Sequence, residues 1–361
     1  MARPTFEDLL GINAGKEWDQ LYNQNNPYGY NPLQNIFKQV RSFHLMEDDY
    51  PRGETPATAP PDVQLPGEKR AWGRMNNYQL RYQKWKKDFP SLRVSMTGII
   101  EYDKKTNQTR IRKFPSKWYS KAQWGNDVKR VEANARLYAL KFIQLYAPKG
   151  KSALVDTLEI GNEPWGDVGL DTYQAIVRGV IGAVENYYGE NAPIRLASAA
   201  FQAHNPSHIW KAKNVTYPTG DYIGRALTKT LCQKLHELTV HPYSFTTGSV
   251  KLVEHPESSA SEFQHATDLF DFAAQMGRPN MPIAATEYGW DSETVGEKTQ
   301  AIYLLRNTLQ MARLGFHKLY IYEGLDNPGL GNSIYNSSGL FQVQNKQRFI
   351  GAPKAAYNVL L

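Results

Sequence analysis

A single cysteine, Cys232, in 361 residues excludes an internal disulfide and any cysteine-rich metal site. No apolar run approaches the ~20 residues needed to cross a bilayer, so no membrane partner is expected. The opening MARPTFEDLL has no apolar signal-peptide core; the chain is either not exported by that route or has had its signal trimmed. A Gly-rich phosphate loop, a Gly-x-Ser-x-Gly elbow and a Rossmann fingerprint are all missing. His236 and His241 stand five apart across a helix-to-strand change, so they do not share a helix face as zinc ligands would; neither metal nor cofactor is expected. No period of 20–50 residues repeats, which removes solenoids and propellers. Phenylalanine is scarce beside the polar-tipped aromatics, 14 Phe against 22 Tyr and 8 Trp. That excess fits a wet binding surface or ordinary amphipathic packing.

What is present is a rhythm. Hydrophobic residues at 41% and charged residues at 21% describe a globular chain. A domain of ~100–200 residues would make this two, yet one barrel can absorb the length. Short β-branched apolar runs at Phe6–Asn13, Val40–Leu45, Leu92–Thr97, Val155–Gly161, Ile194–Ala199, Glu237–His241, Pro282–Thr286 and Lys318–Tyr322 predict eight strands. Helical periodicity fills the gaps at Asn76–Asp88, Asp127–Tyr146, Asp171–Tyr188, Asp221–His236, Ser259–Met276 and Glu297–Arg313, with a short closing helix at Pro353–Leu361. The expected architecture is α/β, a (β/α)₈ TIM barrel forming a single domain over 1–361 with long strand-end loops. Asp48–Arg74, with five prolines, reads as an extended wall; Ile99–Lys113 and Gly339–Arg348 read as hairpins.

Two strand ends carry chemistry. The fourth predicted strand closes on Leu158-Glu159-Ile160-Gly161-Asn162-Glu163-Pro164-Trp165, and the seventh on Ala284-Ala285-Thr286-Glu287-Tyr288-Gly289-Trp290. A strand-end carboxylic acid can protonate a leaving oxygen while a neighbouring amide bonds a hydroxyl. Asn162-Glu163-Pro164 also reads as a helix start, with Asn162 as cap. Two carboxyls on strands four and seven of a barrel, however, face one mouth from opposite flanks. Retaining glycoside hydrolysis needs such a pair about 5–5.5 Å apart.

With that pair the chain resembles clan A of the retaining glycoside hydrolases, the (β/α)₈ superfamily of cellulases, mannanases, agarases and heparanase-like enzymes. The resemblance runs through eight strand signals and two motifs, almost the whole chain. It implies Glu163 as acid/base, Glu287 as nucleophile and Asn162 as the holder of the substrate 2-hydroxyl. It implies Arg41, on the second strand, as a partner of the nucleophile; the alternative is a plain internal salt bridge. His241 and Tyr243 match a His and Tyr that clan members place near the nucleophile, a structural histidine being the other reading. His204 and Asn205, after strand five, are subsite candidates. The eighth strand departs from the clan: a Trp platform is common there, whereas this chain has Tyr320-Ile321-Tyr322-Glu323-Gly324. Glu323 is thus a third strand-end carboxyl, read as a sugar ligand or an Arg partner. Trp118, Trp124, Trp165, Trp290 and Trp72 lie in or beside strand-end loops, as stacking faces for sugar or as pins for the loops; Trp85, mid-helix, reads as packing.

The net charge is +7. Basic residues gather at Lys104–Lys117 and at Arg81–Lys87, patterns that fit a solvated loop and helix face better than a nucleic-acid surface, so no nucleic-acid partner is expected. The expected function is a retaining β-glycosidase, endo-acting on a polysaccharide, with an anionic or sulfated galactan of agar or carrageenan type favoured by the basic hairpin. The alternatives are an exo-acting β-glycosidase on oligosaccharides and a non-catalytic carbohydrate-binding barrel. A nucleic-acid-binding or phosphoryl-transfer barrel would betray itself by a steep salt dependence of DNA or RNA affinity.

Overall fold

The computed structural model describes residues 5–14, 26–45, 72–97, 99–103, 108–112, 128–150, 153–164, 169–202, 209–212, 215–218, 224–244, 254–258, 266–327, 335–344 and 349–361. Eight parallel strands close a barrel: β1 (Leu10–Ala14), β2 (Gln39–Leu45), β3 (Ser91–Thr97), β4 (Thr157–Glu159), β5 (Arg195–Gln202), β6 (Glu237–His241), β7 (Ile283–Tyr288) and β8 (Lys318–Ile321). Each strand pairs with its sequence neighbour, and β8 returns to β1 through Leu10 opposite Leu319. The fold is the (β/α)₈ TIM barrel.

The period-two alternation of a strand separates the two faces of the wall. On β2 and β3, Val40, Leu92, Val94 and Met96 are buried under the helix layer. His44 faces the same way: its Nδ1 lies 2.7 Å from the Tyr82 hydroxyl, its ring stacks on Tyr78 at 4.1 Å, and Phe142 and Tyr146 complete an aromatic cluster. Trp85 is fully buried in this layer, the packing role read from its helix position. The helices Val128–Tyr146 and Leu170–Tyr188 approach closely at Gly179, where a Cβ would sit 2.5 Å from the Glu132 carbonyl oxygen.

The opposite alternation fills the barrel with polar groups. Tyr320 crosses the interior over Gly11, whose absent Cβ would lie 2.5 Å from the ring. Its hydroxyl donates to Gln39 Oε1 at 3.1 Å, and the Arg93 guanidinium lies 5.1 Å from its ring centroid. Arg93 Nη2 pairs with Glu237 Oε1. These residues form the floor of the barrel; Arg41, Asn13 and Glu159 lie above them.

The strand expectations hold with shifted bounds. Residues 6–9 form a helical turn before β1, because Thr5 Oγ1 accepts from the Asp8 amide and caps it. The helix expected over 221–236 is interrupted, among the described residues, at Leu227–Thr228. Thr228 opens a fresh helix, Lys229–Lys234, by accepting from the Leu231 amide. Hairpins stand at Ile99–Asp103 with Gln108–Arg112, as expected, and at Phe341–Gln344 with Phe349–Pro353, whose second arm lies beyond the expected Gly339–Arg348. A third, Ile209–Ala212 with Val215–Pro218, was not anticipated. Residues 48–71 of the proline-rich wall, and 259–265 of the expected fifth gap helix, lie outside the described residues; that helix is present over Asp268–Gln275. The closing helix, Ala355–Leu360, is tied down by buried Lys354, whose Nζ donates to Asp326 Oδ1 at 2.6 Å, Ser292 Oγ at 2.9 Å and the Ser337 carbonyl at 2.8 Å. Among the described residues, no helix is long and apolar enough to cross a membrane.

Candidate active site

Six sequence candidates meet at the C-terminal mouth of the barrel: Arg41, Asn162, Glu163, His241, Tyr243 and Glu287. The last two residues of β7 carry Glu287 to the rim, where its side chain is 8% exposed. Arg41 Nη1 donates to Glu287 Oε1 at 2.7 Å, and the Tyr243 hydroxyl donates to Oε2 at 3.0 Å. Both Glu287 oxygens therefore have a fixed donor.

Glu163 sits beyond the end of β4, where Gly161 takes a positive φ of 97° and turns the chain outward. Its side chain is 34% exposed. His241 Nδ1 lies 2.5 Å from Glu163 Oε1, and His241 Nε2 lies 3.1 Å from Thr286 Oγ1 and 3.7 Å from Glu287 Oε1. Burial pushes the imidazole down to about 4, with Arg41 adding to the effect and Glu287 and Glu159 opposing it. A neutral ring at Glu163 can donate to its carboxylate or accept from its acid form. Burial first, and then the charge of Glu287, hold the Tyr243 phenol well above its ordinary value, so it stays a donor.

Arg41 serves both of its readings. It bonds Glu287, and it forms an internal salt bridge with Glu159 through Nε to Oε2 at 2.9 Å and Nη2 to Oε1 at 2.7 Å. Its remaining donors go to Asn13 Oδ1 at 2.9 Å and Asn162 Oδ1 at 2.7 Å. Since Asn162 Oδ1 accepts from Arg41, its amide nitrogen is the end oriented away from the guanidinium. Asn13 is anchored in turn, its Nδ2 donating to the Thr286 carbonyl at 2.9 Å.

Other candidates divide. Trp290 is a correction: it is fully buried, its indole donates to the Glu254 carbonyl at 3.0 Å and its ring meets Tyr303 edge-on, so it pins a loop and offers no face to sugar. Glu323 is buried at 2% exposure, with its amide on the Ser338 carbonyl and its carbonyl on the Leu340 amide; the Tyr322–Glu323 peptide is cis. Trp118, Trp124, Trp165, His204 and Asn205 lie outside the described residues, as does the side chain of Trp72. Sequence reading missed Glu159, Asn13, Thr286 and Tyr335. Tyr335 packs against both Tyr243 and Tyr322 at 5.3 and 5.5 Å between ring centroids, so the tyrosine that bonds Glu287 belongs to a cluster of three.

Oxygens of Glu163 and Glu287 and a nitrogen of His241 all lie within 4.8 Å of one another, a set that could in principle hold a metal ion. Each of the three residues already faces protein partners there: Arg41 and Tyr243 on Glu287, and Thr286 on the far nitrogen of the histidine that meets Glu163. Donors already aimed at a carboxylate compete with a cation for the same lone pairs.

The fold is shared with glycoside hydrolases. A family 39 glycoside hydrolase from Bacteroides cellulosilyticus superposes with a TM-score of 0.60 at 14% identity, over 99% of this chain and 64% of that one. The hyperthermophilic β-glucosidase of Pyrococcus furiosus gives a TM-score of 0.57 at 13% identity, over 99% and 95%. A family 1 β-glucosidase from Thermotoga maritima gives 0.58 at 10% identity, over 99% and 98%. The chain thus spans just under two thirds of the family 39 protein and nearly all of the two β-glucosidases. No protein-family model matches the chain, and no curated protein matches it in sequence.

Proposed function

We propose that the chain is a retaining β-glycoside hydrolase of clan A, acting as one catalytic unit over its described length. The observation that carries this reading is the paired carboxylates, with oxygens within 4.8 Å at the barrel mouth and unlike surroundings. That spacing supports direct attack by one carboxylate; an inverting pair stands about 6.5–9.5 Å apart to admit a water. Glu287, held by Arg41 and Tyr243, is the nucleophile, and the more exposed Glu163 is the acid/base.

In the first step Glu287 attacks the anomeric carbon as the glycosidic C–O bond breaks, and the leaving oxygen takes the proton of Glu163. A glycosyl ester on Glu287 results. In the second, water attacks the same carbon, its proton passes to Glu163, and the ester bond breaks to return the Glu287 carboxylate. The neutral His241 follows both states of Glu163 without adding a charge. Asn162, anchored through its oxygen to Arg41, presents its amide for the sugar 2-hydroxyl.

The substrate we favour is a polysaccharide cut internally, an anionic galactan first, on the strength of the long strand-end segments and the Lys104–Lys117 basic residues. A second reading, exo-action on β-linked oligosaccharides, is favoured by the two β-glucosidases that share the fold along nearly their whole length. A panel of agar, carrageenan, β-glucan, mannan and galactan, with cello- and galacto-oligosaccharides, separates them by product length. Glu163→Ala should lower kcat on these substrates by about 10²–10⁴-fold and Glu287→Ala by more. Variants as fast as the parent, or a product of inverted anomeric configuration, would overturn the reading.

A further inference from the structure

Arg41 spends every N–H it has, and the division is unequal. Glu159 takes two donors along one edge, Nε and Nη2, whereas Glu287 receives Nη1 alone. Glu159 lies inside the barrel at 0% exposure, four residues before Glu163, and meets Arg93 Nη1 at 3.8 Å on its other side. Among the described residues, the buried carboxylates Glu159, Glu237 and Glu287 face the buried guanidiniums Arg41 and Arg93. A two-bonded edge fixes both the position and the plane of a guanidinium, which a single bond cannot do.

We propose that Glu159 is a positioning residue that clamps the Nε edge of Arg41 and draws off part of its charge, so that Arg41 aims Glu287 through a single hydrogen bond, beside that of Tyr243, without neutralising it. The inference rests on Glu287 being the nucleophile. A carboxylate that owned the whole guanidinium would be held more tightly as an anion. It would attack more slowly and leave its ester more readily. Sharing Arg41 with Glu159 moves the balance toward attack.

The test separates the two half-reactions with 2,4-dinitrophenyl 2-deoxy-2-fluoro-β-D-galactoside and the matching glucoside. In labelling, Glu287 forms a bond to the anomeric carbon as the bond to dinitrophenolate breaks; the phenolate leaves with its electron pair and needs no proton, so Glu163 is not engaged. In release, water takes the sugar and passes a proton to Glu163. Glu159→Gln keeps the shape and removes the charge; Glu159→Asp keeps the charge and shortens the reach. Labelling, followed by intact mass, should slow by about ten- to a hundredfold in E159Q while release of the adduct quickens. E159D should show the same opposed changes at smaller size. Should E159Q fail to accumulate as folded protein, E159D alone decides by those opposed signs. Both steps slowing by one factor, neither changing, or Asp faring no better than Gln would reduce Glu159 to a packing role and overturn the inference alone. A parent that forms no adduct on Glu287, located in the labelled peptide, would overturn the nucleophile assignment and this inference with it.

Discussion

Arg41 and Arg93 are register partners on adjacent strands, both fully buried in one barrel, and they are used in opposite ways. Arg41, at the mouth, donates all five N–H groups, to Glu159, Asn13, Asn162 and Glu287. Arg93, at the floor, gives Nη2 to Glu237, while its Nε and Nη1 make no hydrogen bond among the described residues. For both, burial alone would favour loss of the proton, and neighbouring carboxylates more than reverse it, so both keep their charge. Charge with few of its donors bonded costs stability and fixes little; charge with every donor assigned fixes a geometry. The floor neutralises, and the mouth aims.

The largest effect that would sharpen this contrast is on stability at the floor. Arg93→Met strands Glu237 in the barrel with half-exposed Arg195 at 3.8 Å as its nearest cation. Removing one member of a buried pair costs about 3–5 kcal/mol, and replacing both by apolar residues is often neutral. Urea unfolding should therefore show Arg93→Met losing about that much and Arg93→Met with Glu237→Leu regaining most of it. A double variant as unstable as the single would mean that the floor, like the mouth, depends on specific bonds.

Turnover should separate the arginines in the other direction. Arg41→Lys keeps a positive charge but cannot hold Glu159, Asn13, Asn162 and Glu287 from one planar group. We expect kcat/KM to fall by about 10²–10³-fold, the scale seen when one preorganised donor is removed from a reacting centre. Arg93→Lys should fall by less than about tenfold, since it contacts none of the reacting groups. Equal losses in the two variants, on whichever glycan the panel identifies, would break the distinction between aiming and neutralising.

How far the sequence foretold this follows from what a linear pattern records. The barrel was legible because its wall strands are short apolar or alternating runs between breaks; β6 was expected at Glu237–His241 and lies there. The bounds of β7 moved from Pro282–Thr286 to Ile283–Tyr288 because an extended backbone continues through its polar end, Glu287. At the site, Asn162, Glu163, His241, Tyr243 and Glu287 stand at or just after strand ends, and the resemblance to clan A added Arg41, inside β2, before any geometry. Glu159 and Asn13 could not be singled out. Nothing in the linear pattern marked either as a partner of the site: a polar residue in or ending a strand looks the same whether it faces solvent or the barrel axis, and only closure reveals that both point at Arg41. The signal available was weak: a carboxyl held between two apolar neighbours, Leu158 and Ile160. Trp290 failed for the converse reason, because a tryptophan after a strand does not say which way its ring turns.

The smallest effect concerns acid, and it bears on the mouth alone. His241 is pushed from its ordinary 6.5 down to about 4, by burial first and then by Arg41. Between those two values the unfolded chain binds a proton that the folded chain refuses, so stability should fall as pH drops through that window. The full difference is about 3 kcal/mol. His236 and His317, also lowered by burial, act with the same sign, and Asp326, raised by burial to about 6 despite Lys354, acts against them. All three remain in His241→Asn, an amide that can still reach toward Glu163 in place of Nδ1. Subtracting the variant's stability from the parent's, pH by pH, therefore isolates His241. A difference that declines from pH 6.5 to 4 is expected. A flat one would mean that the mouth accepts a second cation beside Arg41, and that its charges are no more tightly assigned than those of the floor.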